Sequence, residues 1–370
     1  MTKKKLIIFM PSIEGGGVEK NFFIISNYLS YKIKEISVIT VSKKYKKNFN
    51  KKINFISPSF DFFDKLGRRK KYFISLYLLF LEFLKNKNIF VFCFQANIYC
   101  TILCKMLGIK IVVRSNSSPS GWSQNIFKRK IFEYFLNVAD QVIVNSIEFK
   151  KELKLKFNVK SICIYNPLNI NEIIKLSKKN ISFKFFKKNT LNLINVGRLV
   201  DQKDQLTLLK STILLRQNKV RFRLLLVGSG ILKNNLKKFI KENYLESQIK
   251  IINFQKNPFP YILKADIFIL SSIYEGLPNV LLEATALKKY IISSNCPTGP
   301  KEILDNGMGG ELFKMKDFTT LAKKITLYRK NSSLCKKKIK HANLRLKRFN
   351  YEKNLNKYYK IINNFLNENL

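Results

Sequence analysis

The sequence predicts an α/β protein with two doubly wound parallel-sheet domains, and three observations support this prediction. The chain has 370 residues, which is long enough for two domains. Its hydrophobic content of 46%, with 13% aromatic residues, is typical of a protein with a large buried core. Short apolar runs alternate with longer amphipathic stretches, and this alternation restarts after residue 190.

In the first half, short runs rich in Ile, Val and Phe predict buried parallel strands. These runs are KLIIFM (5–10), EISVITV (35–41), IFVFCF (89–94), KIVVRS (110–115) and QVIVNS (141–146). Amphipathic stretches predict helices at 18–31, 68–86, 97–107 and 126–138. Strands that alternate with helices favour a Rossmann-like domain, which we assign to residues 1–175.

The second half repeats the pattern, which predicts another Rossmann-like domain over residues 190–350. Its predicted strands are LNLINVG (191–197), RFRLLLVG (221–228), IKIINF (249–254), DIFILSS (266–272) and YIISS (290–294). Its predicted helices are 203–217, 231–243, 279–287 and 317–329. The polar, lysine-rich stretch 176–190 is typical of a linker, and the amphipathic segment 351–370 predicts a helix that packs back on the first domain. Ligands should bind at the carboxyl ends of the strands, in a cleft between the domains.

The net charge of +45 suggests a nucleic-acid-binding protein, but its distribution argues against that class. Residues 1–170 carry a net charge of +20 and the other 200 residues carry +25, so the density is nearly even. Part of this charge fits the general richness in Lys, Ile, Asn and Phe. Such a surface would still attract anionic lipid, at about 1 kcal/mol per well-placed Lys or Arg.

The cysteines and apolar runs indicate a cytoplasmic protein. Six scattered cysteines form no CxxC pair, and His341 is the single histidine, so reduced, packed thiols are expected. The start KKKLIIFMPSIEGGG lacks the apolar run of a signal peptide. The stretch 72–84 is too short to span a bilayer and contains Glu82.

GRRKKYFISLYLLFLEFLKNK (67–87) places basic clusters on both sides of an apolar-aromatic helix. An interfacial helix has that composition, so we expect peripheral attachment to an anionic membrane, on the inner face of the cytoplasmic membrane. A core helix with solvated ends is the alternative. The oligomeric state does not follow from the sequence.

Three loops that follow predicted strands carry candidate binding residues. In GGGVEKNF (15–22), Gly16 and Gly17 permit close backbone approach, and the helix N-terminus favours an anion. The loop is not GxGxxG, which disfavours a dinucleotide site; an ordinary tight turn is the alternative. In NVGRLVDQKDQ (195–205), Arg198 and Lys203 could clamp a diphosphate or be two solvated charges.

The third loop lies in SSIYEGLPNVLLEATA (271–286), where Glu275 precedes Pro278 and Glu283 follows inside an apolar helix. Pro278 suits the first helical turn. A buried carboxylate such as Glu283 needs a partner. Two carboxylates beside a helix N-terminus suit a ligand that is both phosphorylated and rich in hydroxyl groups.

Several motifs together resemble the retaining glycosyltransferases of family 4, which have the GT-B fold. They are GGGVEK, GRLVDQK, LLLVGSG and EGLPNVLLEA, followed by SSNCPTGPKEIL. VRSNSSPSGW (113–122) and VNSIEFKKEL (144–153) resemble members that build bacterial surface polysaccharides and lipid-linked oligosaccharides. The resemblance implies two Rossmann-like domains facing a central cleft.

The resemblance also implies a role for each matched residue, with Glu275, Arg198 and Lys203 as the catalytic group. Glu275 would hydrogen-bond the donor sugar, Glu283 would hold the nucleotide ribose, and Arg198 and Lys203 would neutralise the diphosphate. The other donor-binding residues would be Gly16 and Gly17 in the first domain and Gly276, Leu277, Pro278 and Asn279 in the second.

The chain departs from the family at two places. Many relatives have a histidine where this chain has Arg114, Ser115 and Asn116, which we predict to lie on the acceptor side. Many relatives also have a glycine at Gln255, after the strand that ends near residue 254. His341 lies far from the first motif, so we expect it to be a surface or packing residue.

The resemblance therefore implies a retaining transferase that uses a UDP- or GDP-linked sugar, with UDP favoured. The acceptor would be a hydroxyl of a lipid-linked or polysaccharide molecule, lipopolysaccharide included, and no nucleic acid would bind. No Asp-x-Asp occurs, so we expect no metal and no other cofactor. A nucleotide-sugar epimerase or hydrolase on the same fold is the main alternative.

Overall fold

A computed structural model describes residues 4–116 and 125–368, which form two compact α/β units. The first unit comprises residues 1–167 and 351–370, and the second comprises residues 168–350. Each unit contains one all-parallel sheet flanked by helices, which confirms the predicted fold class.

The first sheet has seven strands in the order β3-β2-β1-β4-β5-β6-β7. They are β1 (Lys5–Phe9), β2 (Ile36–Ile39), β3 (Asn54–Ile56), β4 (Ile89–Cys93), β5 (Ile111–Arg114), β6 (Gln141–Val144) and β7 (Ile162–Cys163). The helices between them are α1 (Gly17–Ser30), α2 (Arg68–Lys85), α3 (Asn97–Met106), α4 (Ile126–Val138) and α5 (Ile147–Phe157). All five predicted strands occur, and β3 and β7 are additional.

The second sheet has six strands in the order β10-β9-β8-β11-β12-β13. They are β8 (Leu191–Val196), β9 (Phe222–Val227), β10 (Ile249–Ile252), β11 (Ile267–Leu270), β12 (Tyr290–Ser294) and β13 (Glu311–Phe313). The helices are α6 (Ile170–Ser177), α7 (Gln205–Gln217), α8 (Lys233–Glu242), α9 (Phe259–Lys264), α10 (Asn279–Ala286), α11 (Pro300–Ile303), α12 (Phe318–Lys330) and α13 (Ser332–Arg345).

Successive side chains of a strand point to opposite faces of the first sheet, so an apolar core covers both of its faces. Leu6 and Ile8 of β1 pack into one apolar cluster, whereas Ile7 and Phe9 pack into the other. The last helix, α14 (Tyr351–Asn367), belongs to this unit and completes the first cluster. It contributes Leu355, Tyr358, Ile362 and Leu366.

The predicted linker at 176–190 lies inside the second unit instead of between the domains. Its aromatic side chains pack there: the Phe183 ring lies 5.1 Å from the Tyr261 ring of α9, in an edge-on arrangement. Helix α6 packs against α9 and α10, which is why the first unit ends at Pro167 and not at the predicted residue 175. The chain crosses between the units after Pro167 and again after Asn350.

The order of the second sheet reverses at the neighbouring strands β8 and β11, since the chain moves outward from β8 on one side and from β11 on the other. In open α/β sheets, ligands bind beyond the carboxyl ends of the strands at such a switch point. The loops after β8 and β11, with the helix α10 that follows β11, contain the predicted binding residues of this domain.

All six cysteines are free, and five of them are buried. Across residues 4–116 and 125–368, no helix is both long enough and apolar enough to cross a membrane.

Candidate active site

The switch point of the second sheet brings Lys203 and Glu275 into direct contact. Lys203 ends a single helical turn (Asp201–Lys203) after β8, and Glu275 lies in the loop after β11. Lys203 Nζ is 2.5 Å from Glu275 Oε1, and both side chains are largely buried. The pair forms because adjacent parallel strands end at the same edge of the sheet.

Gln202 fastens these two loops to each other. Its carbonyl oxygen accepts a hydrogen bond from the backbone N–H of Ile273 at 2.8 Å, and its Nε2 donates to the Tyr274 carbonyl at 2.9 Å. Arg198 Nη2 donates to Gln202 Oε1 at 3.3 Å, although the arginine is exposed. Arg198 therefore lies at the same turn as Lys203, as the diphosphate hypothesis requires.

Hydroxyl groups hold the loop that carries Glu275. Ser272 Oγ donates to Glu275 Oε1 at 2.6 Å, and Thr298 Oγ1 donates to the Glu275 carbonyl at 2.7 Å. Ser294 Oγ in turn donates to the Ser272 carbonyl at 2.6 Å. Burial, and next the charge of Glu275, raise the pKa of the nearby Cys296 thiol to about 12. The Cys296 thiol is therefore neutral at pH 7.

Two glycines allow the loops to pack this closely. Gly299 has φ +86°, and a Cβ on it would overlap the Gly276 carbonyl oxygen and Cδ of Pro278. A Cβ on Gly228, after β9, would overlap the Gly197 carbonyl oxygen. Larger residues at either position would push apart the loops that hold the candidate site.

Helix α10 begins at Asn279, as the sequence predicted, but Pro278 precedes the first helical turn and is not part of it. Pro278 is the residue before the helix, with φ −69° and ψ 107°, and Asn279 is the first helical residue. Gly276 and Leu277 are buried in the preceding loop, and Glu283 is buried within the helix as expected. The roles assigned to these residues remain predictions.

The glycine loop of the first unit already binds an anionic side chain. The N–H of Gly16 donates to Glu19 Oε2 at 2.9 Å, and the N–H of Glu14 donates to Glu19 Oε1 at 3.3 Å. Gly17 is the first residue of α1. We expected a ligand anion at this helix N-terminus, but the Gly16 N–H is hydrogen-bonded to the Glu19 carboxylate.

Arg114 is completely buried at the end of β5. It donates from Nε to Tyr358 Oη at 2.9 Å, from Nη2 to Asn166 Oδ1 at 2.7 Å, and from Nη1 to Asn116. Ser115 is also buried. These bonds tie β5 to α14, and the acceptor-side role of the three residues remains a prediction. The rest of that motif, residues 117–122, lies outside the described residues.

A surface cavity of about 640 Å³ lies elsewhere on the second unit, beside His341 and Lys338. Two of its lining side chains have charged or titratable partners: Lys338 contacts Glu311 at 2.5 Å, and His341 Nε2 lies 2.8 Å from Asp305 Oδ2. The hydrogen bond with His341 is the main cause of the lowered pKa of Asp305. None of the predicted site residues lines this cavity.

Sequence reasoning missed Gln202, Ser272 and Thr298. They stand inside motifs that the resemblance used, but they act on backbone carbonyls and on one carboxylate oxygen, and no spacing pattern reveals such contacts. A small polar residue close after a strand at the switch point is a signal that could have found Ser272.

Residues 177–345 match the family described as Glycosyl transferases group 1. An uncharacterized glycosyltransferase of Methanocaldococcus jannaschii, MJ1059, is 32% identical over 200 residues, which cover 52% of this chain and 49% of that protein. The chain thus spans about half the length of this relative.

Two further comparisons cover nearly the whole chain. The N-acetylgalactosamine-N,N'-diacetylbacillosaminyl-diphospho-undecaprenol 4-alpha-N-acetylgalactosaminyltransferase of Campylobacter jejuni is 25% identical, over 94% of this chain and 96% of that protein. The crystal structure of Anabaena Alr3699/HepE in complex with UDP-glucose superposes with a TM-score of 0.78 at 16% identity, over 98% of this chain and 100% of that one.

These similarities confirm the family resemblance and the fold predicted from the motifs. Residues 177–345 thus resemble the glycosyl transferases group 1 family, and the chain has the GT-B fold.

Proposed function

We propose that the protein transfers a sugar from a UDP-linked donor to a hydroxyl of a lipid-linked or polysaccharide acceptor, with retention of configuration. The observation that carries this proposal is the contact between Lys203 and Glu275 at the switch point of the second sheet. It places a cation suited to a diphosphate beside a carboxylate suited to sugar hydroxyls.

In this mechanism, the bond between the sugar C1 and the diphosphate oxygen breaks, and its electron pair stays on the diphosphate. Lys203 and Arg198 stabilise the charge that develops there. Glu275 accepts its bonds from Lys203 and Ser272 through Oε1. We assign Oε2 to a donor hydroxyl. The acceptor oxygen bonds to C1 on the face that the diphosphate leaves, and its proton passes to the departing diphosphate.

The relatives support the choice of substrates. The Anabaena structure contains UDP-glucose, and the name of the Campylobacter enzyme describes transfer of N-acetylgalactosamine to a sugar on diphospho-undecaprenol. We further propose that Arg198 and Lys203 take the place of a metal ion at the diphosphate. The sequence has no Asp-x-Asp, and the described ranges contain no group of three or more His, Cys, Asp or Glu that could hold a metal.

Incubation with a panel of UDP- and GDP-linked sugars, with and without polyprenyl-diphosphate-linked saccharides, tests the proposal. We expect acceptor-dependent release of UDP and a product with the anomeric configuration of the donor, read by NMR. Lys203→Met should lower turnover by about 10²–10³-fold, whereas Lys237→Met, at an exposed position of α8, should not. Equal UDP release without acceptor would indicate a hydrolase, and a changed donor sugar would indicate an epimerase.

A further inference from the structure

Helix α2 of the first unit exposes apolar side chains along one face. Phe73, Tyr77, Phe80 and Leu84 are 66%, 61%, 36% and 57% exposed. Their spacing of four, three and four residues puts them on one side of the helix, over a length of about 16 Å. We call these four residues the outer stripe.

The opposite face of α2 is buried although it carries charges. Its buried residues are Lys71, Ser75, Leu79 and Glu82. Glu82 Oε2 accepts a hydrogen bond from Lys5 at 2.9 Å, and Lys71 Nζ donates to the Asp64 carbonyl at 2.6 Å. A surface helix normally exposes its charges, whereas α2 buries Lys71 and Glu82 beside Leu79 and leaves the outer stripe in solvent.

The outer stripe continues onto α3 and has basic residues at both ends. The Phe73 ring centroid lies 6.3 Å from that of Tyr99, which is itself exposed. Arg69 and Lys70 are exposed before the stripe, and Lys85 and Lys87 are exposed after it. A contiguous apolar surface rimmed by charge indicates an interaction site.

We infer that the outer stripe, together with Tyr99, docks on an anionic lipid surface. Aromatic and leucine side chains between basic clusters match the boundary between headgroups and acyl chains. A second copy of the chain is the less favourable occupant, because a symmetric contact would bring the same basic ends together. Anionic lipid instead neutralises Arg69, Lys70 and Lys87, whereas Lys85 is already paired with Glu82.

Co-sedimentation of the full chain with phosphatidylcholine vesicles, with and without phosphatidylglycerol, tests this inference. We expect binding to the anionic vesicles that weakens in high salt. Phe73→Ser with Leu84→Ser should reduce that binding about tenfold or more, equivalent to about 1.4 kcal/mol. The matched control is Leu155→Ser with Tyr244→Ser, which removes two apolar side chains that are 85% and 83% exposed elsewhere.

Thermal melting would establish that both double variants remain folded. Binding of the stripe variant at the wild-type level, or equal binding to neutral vesicles, would overturn the inference. The inference would also be overturned if light scattering showed that the wild type is a dimer and that the substitutions in the outer stripe convert it to a monomer. The assay contains no nucleotide sugar, so its outcome is independent of the proposed transfer reaction.

Discussion

Lys203 Nζ contacts Glu275 Oε1 at 2.5 Å, although the two residues are 72 positions apart in the chain. The predicted cation for the diphosphate and the predicted carboxylate for the sugar thus bind each other. Each restrains the position of the other, and each is largely removed from water. A substitution of either residue is therefore expected to change both the stability of the protein and the rate of the proposed reaction.

Loss of one member of this pair should destabilise the protein more than loss of both. Lys203→Met leaves a buried carboxylate without its cation, at a cost of about 1–3 kcal/mol in the free energy of unfolding. Glu275→Gln added to Lys203→Met should recover part of that loss. Urea denaturation of the two single variants and the double variant gives the coupling energy, and strictly additive effects would contradict the prediction.

Glu275 and Glu283 should have separable kinetic roles. Glu275→Gln should lower kcat by about 10²–10³-fold, because a contact to the sugar strengthens as charge develops in the transition state. Glu283→Gln should mainly raise KM, because a ribose contact is equally strong in both states. Calorimetry with UDP should show binding to Glu275→Gln and weaker binding to Glu283→Gln; the opposite result would reverse the assignment.

Activity should survive the removal of divalent metal ions. Arg198 and Lys203 supply positive charge to the diphosphate, which is the role that Mg²⁺ or Mn²⁺ would have. Turnover in EDTA should therefore match turnover in buffer. Complete loss of transfer that returns with Mg²⁺ or Mn²⁺ would contradict this prediction.

Gly299→Ala should disrupt the loop that carries Glu275. The new Cβ would meet the Gly276 carbonyl and Pro278, in addition to the strain of φ +86°. Gly307→Ala is the matched control, since Gly307 has φ +96° but nothing within 4 Å of the added Cβ. The control should lose only about 1–2 kcal/mol of stability and keep its activity. Unfolding free energy from chemical denaturation and turnover are the two measurements. If both variants lost similar amounts of each, the packing of this loop would be unimportant.

Glu82 should contribute a pH-dependent part of the stability of the first unit. Burial raises the pKa of its carboxyl, but hydrogen bonds from Lys5 and Lys85 outweigh that effect and lower it below its ordinary value of 4.5. A lowered pKa means that the carboxylate stabilises the fold above pH 4.5, and that this contribution is lost as the pH falls through the folded-state pKa. The unfolding free energy of the wild type, measured by urea denaturation, should be larger than that of Glu82→Gln at pH 7. The difference between the two proteins should shrink as the pH falls below 4.5. A difference that is the same at every pH would argue against the ion pair.

The apolar runs predicted ten strands because each is long enough to show a pattern. Strands β3, β7 and β13 have three, two and three residues, too few for any periodicity. Helix α13 was missed because SSLCKKKIKHANLR contains few apolar positions. The sequence predicted a helix at α2 but not its orientation, since hydrophobic pattern alone does not say that Lys71 and Glu82 would find partners inside.

For the candidate site, charged residues in motifs were predictable and their contacts were not. Lys203 and Glu275 were given separate ligands, and their direct contact depends on strand order. Gln202 and Thr298 are neutral residues that hold backbone carbonyls, so nothing in their spacing marks them. Glu19 was overlooked because its contact with Gly16 depends on the local path of the glycine loop.

The placement of α14 in the first unit affects how the chain folds during synthesis. Residues 168–350 are contiguous, so the second unit can fold as soon as they have left the ribosome. The first unit can complete its core only after residues 168–350 have been synthesised, because Tyr358 and Phe365 of α14 are made last. Their rings pack against Phe92 and Phe90, respectively. Nascent chains that stop before α14 would lack the cover that it gives to Phe90 and Phe92, and such exposed apolar surface is what chaperones bind.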